Sequence, residues 1–197
     1  SGNVTGGNVI VSGVLLSTNT ISASGNITGG NLSVGTGTIT GGNIVNSNAN
    51  GVGNIGSSTT YFNTVFAKAT SAQYADLAEN YIADSQYEPG TVVQLGESTE
   101  ITICNEDSTS RVVGVVSTNP AMLMNTTLTG QYVVAVALTG RVPCAVAGPI
   151  KRGDLLVATS DGRARAEKNP QIGCLIGKAL DNFDGDSGVI EIIVGVK

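Results

Sequence analysis

Histidine and tryptophan are absent from this 197-residue chain. Without histidine, the chain cannot form a Ser-His-Asp triad or a Cys-His nucleophile pair, and the usual zinc ligand set is missing. We therefore expect neither an enzyme of these classes nor a cofactor. The three cysteines, Cys104, Cys144 and Cys174, form no Cys-x-x-Cys pair. We expect them to be small buried apolar residues, and a disulfide between two of them is the alternative.

Positive charge is also scarce, since 10 Lys and Arg residues face 15 Asp and Glu residues, for a net charge of -5. Nucleic-acid binding depends on neutralising phosphates with Lys and Arg, so we expect no nucleic-acid partner. No apolar run approaches the ~20 residues of a transmembrane helix, so we expect no membrane insertion. Because the chain begins at Ser1 rather than Met, we expect it to be a fragment or processed product of a longer protein.

Charge is missing altogether from the first 67 residues, and this segment repeats itself. The motif Gly-Asn-Val-Thr-Gly-Gly-Asn-Val at residues 2–9 returns with small changes at residues 25–32 and 37–44. Repetition at a short period is typical of stacked architectures in which no unit buries its apolar face alone. Val, Ile and Thr favour extended backbone, and Gly-Gly-Asn favours tight turns. Residues 1–67 are therefore predicted to form a repetitive β-stalk.

Each strand of this stalk has too few apolar side chains to fold independently. Ordering one residue costs about 1–2 kcal/mol of backbone entropy, and burying one Val or Ile returns about 1.5–3 kcal/mol. The strands must therefore pack against others, and we favour three chains wound around a common axis. The apolar positions of the repeat that would face this axis are Val4, Ile27, Ile39 and Ile44. A single-chain β-solenoid and a disordered linker are the alternatives.

Charged residues begin at Lys68, and from residue 91 onwards the chain has the pattern of an all-β domain. Short β-like runs separated by turn residues predict a β-barrel or sandwich-like head over residues 91–197. The runs are residues 92–95, 101–103, 112–116, 132–137, 142–146, 155–157, 174–177 and 189–196. Pro143 lies inside one of them and predicts an edge strand or a bulge there.

Residues 68–90 are predicted to join the stalk to the head. Tyr74, Leu77, Ala78 and Tyr81 would share one face of a helix, whereas alternation in the same stretch also fits an extended strand. Periodicity does not separate the two, and we favour a strand or a short helical turn.

The stretch Tyr-Phe-Asn-Thr-Val-Phe-Ala-Lys-Ala-Thr-Ser-Ala-Gln-Tyr-Ala-Asp-Leu-Ala-Glu-Asn-Tyr at residues 61–81 resembles the junction found in bacteriophage tail fibres. Further motifs of the same kind follow in order at residues 87–93, 112–121, 140–143 and 151–157, so the resemblance covers most of residues 51–197. It implies a homotrimeric structural protein of a virion tail or other external appendage. Its implied partners are upstream fibre or baseplate proteins and a glycan or outer-membrane component of the host surface.

The head is also similar, more distantly, to the self-cleaving trimerisation domains of phage appendages. Those relatives favour Ser-Asp-Tyr-Ala-Glu at the cleaved junction, and the matching stretch here is Ala-Gln-Tyr-Ala-Asp at residues 72–76. The resemblance makes Ser71, Gln73 and Asp76 the candidates for self-cleavage. Because the hydroxyl and the acid at the scissile position are replaced, we expect an uncut, retained head. A self-cleaving chaperone, and a virion decoration or cellular surface fibre that binds no receptor, are the alternatives.

Asp181, Asp184 and Asp186 are the best metal-ligand candidates, because closely spaced carboxylates can bind calcium. The glycine between them is misplaced for an EF-hand loop, which has Gly at its sixth position. We therefore expect a polar turn before the last strand and no metal site.

Overall fold

The computed structural model describes residues 36, 38, 39, 41, 54–57, 59–67 and 75–195. The chain divides into two compact units, Ser1–Val65 and Phe66–Lys197. Of the four residues predicted to form the core of the stalk, Val4, Ile27 and Ile44 lie outside the described residues. Ile39 is described, and 57% of its surface is exposed in the single chain.

The second unit is all-β, as the sequence predicts, and its described residues contain no helix. No helix long and apolar enough to cross a membrane occurs among the described residues. The ten strands are β1 (Asp76–Ile82), β2 (Val92–Leu95), β3 (Ile101–Ile103), β4 (Val112–Val116), β5 (Met122–Met124), β6 (Val133–Ala147), β7 (Leu155–Ala158), β8 (Ala164–Ala166), β9 (Leu175–Ala179) and β10 (Ser187–Val194).

Five of these strands close into a barrel. The ladder runs from β10 through β9, β7 and β8 to β6, and β10 pairs again with β6 to complete the ring. Closure removes the free sheet edges that an open β-structure would expose. The predicted barrel-like head is therefore confirmed.

The 15-residue strand β6 organises the whole unit because its two halves have different partners. Its first half pairs antiparallel with β1, from Val133 opposite Ile82 to Gly140 opposite Asp76. Its second half pairs antiparallel with β10, from Gly140 opposite Val194 to Ala147 opposite Ser187. The strands β4, β2 and β3 extend the sheet beyond the barrel, and β5 pairs with β1.

Two apolar clusters follow from this division of β6. Val142 and Val146 point into the barrel, where they pack with residues such as Leu156 and Ile192. Val134 and Val136, from the first half, belong to a second cluster with residues of β2, β3 and β4. Side chains along a strand point alternately to its two faces, so every second residue of β6 contributes to a core.

The sequence predicted an edge strand or a bulge at Pro143, and the bulge is wrong, because Pro143 pairs with Glu191 of β10 in a ladder without a register shift. The amides of Arg141 and Ala145 donate to the carbonyls of Ala75 and Gly90. By alternation, the nitrogen of Pro143 faces the same side, where none of the described strands forms a continuous ladder with residues 141–147 of β6. The missing N–H therefore removes no hydrogen bond from the sheet.

Candidate functional site

The start of β1 is held by a buried carboxylate. Asp76 is only 5% exposed, and its Oδ2 accepts a hydrogen bond of 2.6 Å from Oγ of Ser117, which is also buried and directly follows β4. Burying a carboxylate is unfavourable unless hydrogen bonds replace those lost to water. This contact joins residues 41 positions apart, so it ties the first strand to the sheet beyond the barrel.

The backbone on either side of Asp76 passes very close to β6. The carbonyl of Ala75 accepts a hydrogen bond of 3.1 Å from the amide of Arg141, and the carbonyl of Asp76 accepts one of 2.9 Å from Ala121. Opposite Asp76 lies Gly140, with φ of +105°. A Cβ atom at Gly140 would stand 2.1 Å from the carbonyl oxygen of Ala75. Only glycine allows this approach without displacement of the backbone.

We call the residues Ala75, Asp76, Ser117, Gly140 and Arg141 the junction corner. A cleft of about 230 Å³ opens beside it. Thr118 and Asn119 line the cleft together with Arg141 and Glu191. Arg141 Nε and Glu191 Oε2 are 4.0 Å apart, and both side chains are largely exposed, so this ion pair contributes little to stability. The cleft is small, and the buried Asp76 is one of its lining residues.

The three self-cleavage candidates are only partly located by the structure. Ser71 and Gln73 lie outside the described residues. Asp76 is held in the sheet as the first residue of β1, which ends at Ile82. Of the two readings of the junction, the strand is confirmed over Asp76–Ile82 and the helical turn is excluded there.

Sequence reasoning missed Ser117 and Gly140 as members of this corner. The signal for Ser117 was a small polar residue placed directly after a run of valines, where a buried hydroxyl needs a partner. The signal for Gly140 was a glycine inside an otherwise continuous strand pattern, which indicates a bulge or a close backbone approach.

The acidic turn before β10 has a structural role in the described chain. Oδ2 of Asp181 accepts a hydrogen bond of 3.1 Å from the amide of Glu191, and the carbonyl of Asp186 accepts one of 2.9 Å from Gly148. Asp184 is exposed. Among the described residues, no three acidic or cysteine side chains form a group that could hold a metal ion. These contacts hold the turn against β10 and against the residue that follows β6.

All three cysteines are buried and free, so the predicted buried thiols are confirmed and the disulfide alternative is wrong. Burial raises the pKa of Cys104 to about 12 and that of Cys144 to about 12. Such thiols carry almost no thiolate at neutral pH, and the thiolate is the nucleophilic form. Cys104 and Cys144 both belong to the core of the barrel, where they act as small apolar residues.

An apolar groove of about 660 Å³ lies on another face of the second unit. Val112 and Val113 of β4 line it together with Leu138 of β6, and the fully exposed Ile172 stands at its rim. Exposed apolar surface of this kind is typical of interaction sites.

Comparison with protein-family models found no match to this chain, and comparison with curated proteins found none.

Proposed function

We propose that this chain is the C-terminal part of a bacteriophage tail fibre or a related virion appendage, and that it works as a homotrimer. The role is structural and binding rather than enzymatic. Residues 1–67 form the stalk, which supplies length and stiffness through intertwined β-structure. The motif resemblance at residues 61–81 and in the four later segments supports the phage context.

The observation that carries the trimer is the exposure of apolar side chains along the uncharged segment. Phe66 is 97% exposed and Ile55 is 83% exposed in the single chain, and Tyr61, Phe62 and Val65 are also mostly exposed. Leaving such side chains in water forfeits about 1.5–3 kcal/mol each. Further copies of the same chain would cover them, as the repeat requires.

The head provides what a stalk of this kind lacks, namely a domain with cores of its own. Three heads in contact would hold three C-termini together, and the high local concentration would let the stalk assemble from that end. Exposed head loops are the proposed place for weak binding to a host-surface glycan or outer-membrane component, with avidity from repeated copies. Upstream fibre or baseplate proteins would attach the other end.

One observation favours a second function, that of a self-cleaving intramolecular chaperone. The hydroxyl of Ser117 and the carboxylate of Asp76 are hydrogen-bonded at the junction corner, next to the residues that resemble a cleaved junction. A virion decoration or cellular surface fibre without a receptor is the remaining alternative. Binding of the purified protein to host cells separates that alternative from a receptor-binding fibre.

Native mass spectrometry of the purified chain tests the proposal. Intact subunits assembled to three times 19.8 kDa are expected for an uncut trimeric fibre. A trimer of pieces divided near residues 71–76 would instead support the self-cleaving chaperone, and an Asp76→Asn variant that stays whole would confirm the role of the carboxylate. An intact monomer would overturn the three-chain stalk and favour a single-chain solenoid.

A further inference from the structure

The apolar groove of about 660 Å³ lies at the seam between the two cores of the second unit. Val112 of β4 packs against the barrel cluster, whereas Val113 of β4 and Leu138 of β6 pack against the other cluster. These three side chains and Leu175 of β9 line the groove and are only partly buried. The fold therefore leaves apolar surface at this seam that another molecule can reach.

Ile172 stands at the rim of the groove on a turn that is fixed to the barrel. The amide of Cys174 donates a hydrogen bond of 3.1 Å to the carbonyl of Gln171, and Gly173 between them has φ of +88°. This geometry is that of a type II turn, which needs glycine at its third position. Cys174 is buried and directly precedes β9, so the turn cannot move far from the barrel.

The side chain of Ile172 itself is fully exposed in the single chain. Leaving an isoleucine in water forfeits about 1.5–3 kcal/mol relative to burying it. Because the turn holds Ile172 in place, its burial by another molecule would cost little additional ordering. Ile172 is therefore suited to insertion into an apolar surface.

The groove carries no charge in a part of the chain that is rich in charge. All 10 Lys and Arg residues and all 15 Asp and Glu residues follow residue 67, yet none of the described residues that line the groove is charged. A charged partner is recognised by complementary charges, which this surface lacks. In a symmetric oligomer, equal charges near the axis would face one another and repel. An uncharged groove therefore fits a second copy of this chain.

We propose that Ile172 of one head inserts into the apolar groove of the next head. Ile172 and the groove belong to one surface, so each head gives one side chain and receives one, and three such contacts close a ring. The inference rests on the proposed homotrimer and identifies the surface through which its heads meet. A second copy covers the exposed isoleucine and the groove together.

The test is photo-crosslinking from position 172 of the full chain. Ile172→Cys replaces a fully exposed side chain, and a benzophenone maleimide attaches to the new thiol because Cys104, Cys144 and Cys174 are buried. Isotope-labelled and unlabelled chains are mixed before assembly, so a cross-link between a heavy and a light peptide joins two copies. We expect such mixed cross-links in the segments that contain Val112, Val113 or Leu138.

Val189→Cys with the same label is the matched control. Val189 is another exposed apolar side chain, 63% exposed on β10, and it does not line the groove. Its label should form at least tenfold fewer mixed cross-links to the groove than the label at position 172.

The proposal is overturned if the label at position 172 cross-links only within its own chain, or if both labels give the same pattern. Reaction of the label at position 172 with a co-purified small molecule in place of protein would also overturn it. Trimers in native mass spectrometry that lack cross-links to the groove would overturn this interface and keep the trimeric fibre. Dimers with those cross-links would keep the interface and overturn the trimer.

Discussion

Replacing Gly140 by alanine is expected to loosen the contact between the start of β1 and the middle of β6. Gly140 pairs with Asp76 of β1 and with Val194 of β10, so it is the residue at which β6 changes partners. Its φ of +105° is unfavourable for any residue with a Cβ. The added methyl would also stand 2.1 Å from the carbonyl oxygen of Ala75 and 2.8 Å from Cα of Asp76.

Two penalties add in the Gly140→Ala variant. A residue held in a sparsely populated backbone region costs about 1–3 kcal/mol. Forcing a methyl into filled space costs about 1–3 kcal/mol more, because the obstructing atoms are backbone and cannot rotate away. We therefore expect a loss of about 2–6 kcal/mol in the free energy of unfolding. For a domain of this size, each kcal/mol lowers Tm by about 4 °C.

Gly148→Ala is the matched control, because Gly148 has φ of +74° but a Cβ there would meet nothing within 4 Å. It should show only the backbone penalty of about 1–3 kcal/mol. Both variants are measured by thermal and urea unfolding at one protein concentration, since assembly changes apparent stability. Hydrogen exchange should also speed up at Asp76–Ile82 in Gly140→Ala and not in Gly148→Ala. Equal losses in the two variants would refute the close approach at the junction corner.

Two further predictions concern hydrogen-bonded carboxylates. Ser117→Ala removes the donor to the buried carboxylate of Asp76 and should lower the free energy of unfolding by about 1.5–3 kcal/mol; a double-mutant cycle with Asp76→Ala that shows no coupling would contradict this. Hydrogen bonds from Arg163 and Thr159 lower the pKa of Asp161 to about 2 from 3.8. The stability from these contacts is therefore complete above about pH 4 and lost as pH falls towards 2, modestly because the group is exposed. Asp161→Asn should flatten this part of the pH dependence of Tm, and an unchanged profile would count against the pair.

Strand positions in the head were predictable because β-propensity is a local property. The runs at residues 92–95, 101–103 and 112–116 coincide with β2, β3 and β4, since Val and Ile there are flanked by turn residues. β5 and β8 were missed, because Met122–Met124 and Ala164–Ala166 contain none of the β-branched residues that marked β3. Their extended backbone depends on a neighbouring strand.

The continuity of β6 could not be predicted for a different reason. Residues 132–137 and 142–146 were predicted as two separate runs, with Thr139-Gly140-Arg141 between them. The structure runs one strand through this point because β1 and β10 pair with β6 on either side of it. Glycine is needed there for close packing rather than for chain reversal.

Composition alone indicated an uncharged repeat before a charged β-domain, because charge and period can be read from neighbouring residues. Burial of the three thiols also followed from residue type. The junction corner has another origin. Asp76 meets Ser117 across 41 residues, and Gln94 of β2 bonds Asn105 across 11. Contacts between residues distant in sequence depend on pairing and register, which local propensity does not encode.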